Sequence, residues 1–152
     1  MADYPSIESK VEDAVLYAFE DFSGGPTGFT YYRNNLGAEI ELPAIVIECQ
    51  GFEKIHDDAE AGARNNFDAR VHVLVITNAA DTAQTRVIHG NLYGWAQAMG
   101  ITSADQMVAK LNAAGVADFT ASAWGIESGG ETSFEDQRRL SLLTFSLICS
   151  AV

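Results

Sequence analysis

The sequence predicts an α+β fold, a mainly antiparallel sheet of four or more strands packed by an N-terminal helix and two central helices. Three observations carry this. Apolar residues recur at helical spacing through the first 22 positions. Two capping-box patterns open further helical stripes near the middle of the chain. The β-branched runs fall before and after that helical pair, with no βαβ alternation, which argues against a parallel sheet.

In the first helix Ile7, Val11, Ala14, Val15, Ala18, Phe19 and Phe22 share a stripe, with Glu8, Glu12, Asp13 and Glu20 mostly off it. Ser6, after Pro5, is suited to cap its N-terminus, and Ser23, Gly24, Gly25 and Pro26 break it. Next, Phe29 to Tyr32 read as a strand, Asn34, Asn35 and Gly37 as a turn, and Glu39 to Glu41 as a returning partner, together a hairpin. After Pro43 the run Ala44 to Cys49 is a strand closed off near Gly51. Arg70 to Thr77 is apolar on both faces over most of its length, as a central strand covered on both sides would be. Between them, Lys54 to Asp68 is a polar connection, longer than a tight hairpin needs.

Asp81 and Gln84 open a helix whose stripe is read as Val87, Ile88, Leu92, Trp95, Ala96 and Met99, stopped by Gly100. Ser103 and Gln106 open a shorter one, with Met107, Val108 and Leu111 inward and Gly115 at its end. The last third is β: Ala121 to Ser128, a turn at Gly129 to Glu131, then Arg139 to Ser150. The alternation along this final strand slips between Leu142 and Leu143, and a bulge there would keep both sets facing the core.

At 152 residues and 16.4 kDa the chain has the length of one domain, residues 1–152. Its composition, 47% hydrophobic and 20% charged, supports a real core and excludes a disordered chain. No apolar run approaches the roughly 20 residues of a membrane span. Met1 to Pro5 lacks the basic-then-apolar profile of a signal peptide, so the expectation is a soluble chain not exported by that route and without a membrane partner.

The formal charge of −12 disfavours a phosphate-gripping surface and tight nucleic-acid binding. Residues 1–68 hold fourteen Asp/Glu and four Lys/Arg, and residues 69–152 seven and five, so the first part carries −10 of the −12. Cys49 and Cys149 sit in apolar runs as buried thiols, and their spacing supports neither a disulfide framework nor a zinc site. His56, Asp57, Asp58 and Glu60 are metal-ligand types within five positions, but they lack the glycine and the closing glutamate of a calcium loop. Cys49 and His72 would make a nucleophile and base only if their strands brought them together. Gly24, Gly25 and Gly28 lack the Lys-Ser/Thr of a phosphate cradle. Trp95, Trp124, Tyr31 and Tyr32 lack the flanking basic residues of a base-stacking platform and read as core or interface packing. No catalytic, cofactor-binding or metal residues are assigned from these patterns.

The order of elements resembles tailed-bacteriophage tail-terminator proteins and the related tail-completion and head–tail joining proteins. It comprises the N-terminal amphipathic helix, the strand Pro43 to Glu53, the long polar loop, the strand Ala69 to Asn78, the helix from Asp81 and Gln84, and the terminal strand Arg139 to Val152. The resemblance runs over nearly the whole chain as size, order and texture, and includes no catalytic motif. It implies a structural virion protein without catalysis or cofactor, assembled in the host cytoplasm as a hexameric ring that caps the tail tube and stops its polymerisation. The implied partners are further copies of the chain, the tail tube protein and a neck or connector protein, with viral DNA passing through the lumen without tight binding. It further implies that the loop Lys54 to Asp68, with Lys54, His56, Asp57, Asp58, Glu60 and Arg64, faces the lumen or a neighbouring subunit. The segment Phe29 to Glu41, with Tyr31, Tyr32 and Arg33, would reach an adjacent ring member or the tube. An acidic first half agrees with a DNA channel, because like charge removes the counterion-release gain that holds DNA to proteins. A neck protein at another level, a small cysteine-dependent or metal-binding enzyme, and a ligand-binding module remain the alternatives.

Overall fold

Period-two alternation along three long strands divides one sheet into a face packed by helices and a face that none of the described helices covers. The computed structural model describes residues 5–22, 25–33, 40–55, 66–78, 83–130, 133–135 (backbone alone) and 138–151. In chain order the elements are α1 (Ile7–Asp21), β1 (Thr30–Arg33), β2 (Ala44–Lys54), β3 (Asn66–Asn78), α2 (Ala83–Ala98), α3 (Ala104–Ala113), β4 (Phe119–Gly129), β5 (Ser133–Glu135) and β6 (Arg138–Ala151). The predicted α+β class is the observed one. The sheet runs β1-β2-β3-β6-β4, with β5 paired to the start of β6, and every pairing is antiparallel except β1 with β2. Among the described residues no helix is long and apolar enough to cross a membrane.

The first helix forms where its sequence predicts, but Glu12, expected off the apolar stripe, is buried with it at 4% exposure. Ser6 Oγ accepts from the Ser9 N–H at 3.0 Å, a cap that contributes about 1 kcal/mol. Val11, Ala14, Val15, Ala18 and Phe19 are fully buried against Ile45, Ile47, Val71, Val73, Phe145 and Leu147. Its far end is tied to α3, where Lys110 Nζ donates to Asp21 Oδ2 at 2.7 Å. On the other side of the sheet lie Val46 and Glu48 of β2, His72 and Leu74 of β3, and Leu142, Thr144 and Ser146 of β6, which alternate with the core residues.

Four expectations are corrected. Phe29 to Glu41 is not a hairpin: Thr30 to Arg33 pair in parallel with Ala44 to Ile47, while Ile40 and Glu41 carry no strand and Asn34 to Glu39 lie outside the described residues. Thr30 Oγ1 donates to the Glu41 carbonyl at 2.9 Å, holding the returning chain beside the start of β1. The strand from Ala44 does not close at Gly51. It bulges between Cys49 and Gly51 and continues to Lys54, with Gly51 at a φ of 138°.

The third correction concerns β3 and β6. β3 is central but the helices cover one face of it, so His72 and Leu74 are only half-buried. β6 pairs with β3 without interruption from Arg138 to Ser150, which leaves Leu140 and Leu142 on the open side. The register shifts are in β4 instead, at Ala121/Ala123 and Ile126/Ser128. There Asn112 holds Ala121 through both its N–H (2.7 Å) and its carbonyl (3.0 Å), and the Ile126 N–H donates to the Gly100 carbonyl at 3.3 Å. These contacts occupy backbone groups along an edge strand that would otherwise template further pairing. Gly100 must lack a side chain, because a Cβ there would sit 2.5 Å from the Phe145 ring.

Fourth, α2 is rotated from its predicted stripe. Val87 and Ile88 are 59% and 37% exposed, and the residue that turns inward is His89, at 5%. Polar bonds decide this: His89 Nδ1 lies 2.8 Å from Thr77 Oγ1 on β3 and Nε2 lies 2.7 Å from Ser141 Oγ on β6. Burial, and secondarily the charge of Arg139, lower the pKa of His89 below its ordinary 6.5. The unfolded chain therefore takes up this proton first as pH falls. The stability His89 contributes is complete above about 6.5 and is lost as the pH drops through the folded-state value. Urea unfolding between pH 7.5 and 5 is expected to show a stability loss that His89→Gln makes shallower; an unchanged slope would contradict the assignment.

Candidate functional site

The upper end of β2 is set by a carboxylate from α1. At the Cys49/Gly51 bulge the Cys49 N–H donates to Glu12 Oε2 at 2.9 Å, and Glu12, 4% exposed, receives Arg33 Nε on Oε1 at 3.1 Å. Arg33 also donates to Asp13 Oδ1 and, at 2.6 Å, to Ser9 Oγ. The guanidinium offered by the sequence as an interface group thus joins β1 to α1. Strand alternation separates its neighbours: Tyr31 donates to the Phe19 carbonyl at 3.2 Å, whereas the Tyr32 hydroxyl accepts from the Glu41 N–H at 2.9 Å. Burial, then the charge of Glu20, push the Tyr31 phenol above its ordinary range.

Beyond the bulge the open face forms a groove of about 390 Å³, lined by Gln50, Phe52, Glu53, Asp68, Arg70, Glu127 and Ser146. Three carboxylates surround a single guanidinium. Arg70 reaches Glu127 at 3.7 Å and Ser146 Oγ donates to Asp68 at 2.7 Å, so four strands contribute to one polar, predominantly acidic surface. Directly above it β2 and β3 stay paired as far as Ile55 N–H to the Asn66 carbonyl, at 2.9 Å. Lys54 is exposed at this end; His56, Asp57, Asp58, Glu60 and Arg64 lie outside the described residues.

Cys49 and His72 are not brought together. In the register Cys49 pairs with Val71 and His72 with Glu48, which puts the thiol on the helix side and the imidazole on the open side. Burial raises the Cys49 thiol to about 11, further supported by Glu12, and raises Cys149 to about 12. Both are free and protonated at neutral pH. Burial, as the largest influence, lowers His72, against the opposing charge of Glu48.

Sequence reading missed Glu12, Glu53, Asp68, Arg70, Glu127 and Ser146. A signal was present for part of the set, since Asp68, Arg70 and His72 alternate along β3, the period of a solvated face. The rest is separated by up to 93 positions, from Glu53 to Ser146, and only the pairing of β6 with β3 and β4 unites it. No protein-family model matches the chain, and no curated protein matches it.

The thiols supply a direct check. Reaction of the folded chain with a disulfide reagent at pH 8 is expected to run about a hundredfold slower than in urea for both cysteines. Immediate reaction of either in the folded chain would contradict the burial described.

Proposed function

We propose that this chain is a structural virion subunit of a tailed bacteriophage, a tail-terminator-like protein that closes into a hexameric ring on the tail tube, stops its polymerisation and provides the joint to the neck. The observation that carries the reading is the sheet face that none of the described helices covers. Strands of 11, 13 and 14 residues are packed by helices on one side only, and the other side presents an acidic groove leading into the β2–β3 hairpin.

Such a surface suits work done at interfaces. An antiparallel sheet tolerates a solvated face, but this one is long and grooved, and β2 and β3 stay paired along it to Lys54 and Phe67. Its charge fits a passage that DNA must traverse without sticking: with three carboxylates to one guanidinium in the groove and −12 overall, a duplex gains little counterion release here. The self-partner, the tube protein and the neck protein follow from the same reading, as does a place in the virion.

Light scattering over a concentration series, with negative-stain images of the same samples, is expected to give closed rings whose mass is a multiple of the 16.4 kDa subunit. A chain that stays monomeric at every concentration, alone and with tail tubes, would contradict the proposal.

A further inference from the structure

The aromatic residues singled out in the sequence are divided by the fold. Trp124 is 5% exposed and stacks on Phe145 at 4.6 Å, with its indole N–H donating to the Met99 carbonyl at 3.1 Å. Trp95 and Tyr31 instead meet at the surface, in a pocket of about 300 Å³ beside the end of α1. Phe22 and Phe29 complete its aromatic walls, and among the described residues of the lining the one charged group is the carboxylate of Glu20. The rings hold one another: Phe29 lies 4.8 Å from Tyr31 and 5.8 Å from Trp95, both pairs inclined. Gly25 lies directly on the indole, since a Cβ there would come within 2.6 Å of Trp95.

We propose that this pocket is a binding site for a lysine side chain of a partner protein. Ring faces carry partial negative charge and attract an ammonium group, while the aliphatic stem gains from apolar burial along the same walls. Glu20, exposed at the rim, supplies the counter-charge, and its field already acts on Tyr31. Among its described residues the lining has no cation to receive a phosphate or a nucleic-acid backbone, so the charge selects a cationic guest. The chain itself shows the chemistry nearby: Lys110 Nζ sits 4.9 Å from the centroid of the Phe22 ring while its charge is met by Asp21 at 2.7 Å. A second ammonium on the pocket side would meet the same arrangement, rings below and a carboxylate at the edge. This site stands apart from the ring reading and does not require it.

The test uses the full chain labelled with ¹⁵N and two blocked tripeptides, acetyl-Gly-Lys-Gly-amide and acetyl-Gly-norleucine-Gly-amide, which differ by the ammonium group. The lysine peptide is expected to shift the Trp95 indole N–H saturably and leave that of Trp124 in place, with the norleucine peptide binding about threefold more weakly or worse. Glu20→Gln, an exposed substitution, is expected to weaken the lysine peptide about threefold and leave the norleucine peptide unchanged. Equal binding of the two peptides, a stationary Trp95 signal, or an unaltered lysine affinity in Glu20→Gln would each overturn the proposal.

Discussion

One buried carboxylate holds three elements in register. Glu12 projects from α1 into the place where β2 bulges, and a carboxylate taken out of water is tolerated only when its oxygens find strong donors. Here Oε2 receives the Cys49 N–H at 2.9 Å and Oε1 receives Arg33 at 3.1 Å. The bulge keeps β2 in step with β3 while sending its end onward to Lys54, and β1, with four residues, is an edge strand too short to be stable by its own ladder. Arg33 spans from that strand to Ser9, Glu12 and Asp13, so the same ion pair ties the parallel pairing of β1 with β2 to the packed helix α1.

From this anchoring follows the division of the sheet. With α1 fixed over β2, α3 tied to its end by Lys110 and α2 held by His89, the apolar residues of all three helices pack as one cluster with one side of the strands. The other side is left to the residues that alternate with them. The acidic groove and the aromatic pocket are therefore set by different features. The groove belongs to the open face and the bulge, and the pocket to the turn after α1 where the chain crosses Trp95 to enter β1. In the proposed ring the groove would serve DNA passage and neighbouring subunits, and the proposed lysine site would use the pocket.

Local signals were legible where one physical effect dominated. The stripe and Ser6 cap of α1, the β-branched runs of β2 and β3, and the terminal strand were readable because burial on a fixed period decides them. The rotation of α2 was not, because two hydroxyls from strands 12 and 52 positions away outweigh the hydrophobicity of Val87 and Ile88. The parallel course of β1 was hidden for a similar reason: Asn34, Asn35 and Gly37 have the composition of a hairpin turn, and only the distant Glu12 reveals where Arg33 belongs. In the site, alternating Asp68 and Arg70 could be seen along one strand, whereas their meeting with Glu53, Glu127 and Ser146 depends on the strand order.

Glu12 and Arg33 act as a unit, and a double-mutant cycle on equilibrium unfolding measures their coupling. Arg33→Met is expected to be the more damaging single change, about 3 kcal/mol, because it leaves a buried carboxylate without its counter-charge. Glu12→Gln keeps an acceptor for the Cys49 N–H and is expected to be milder. Together they are expected to cost less than the sum, with a coupling of at least about 1 kcal/mol. Strict additivity of the two changes would mean that the pair does not hold α1, β1 and β2 together, and would contradict the account.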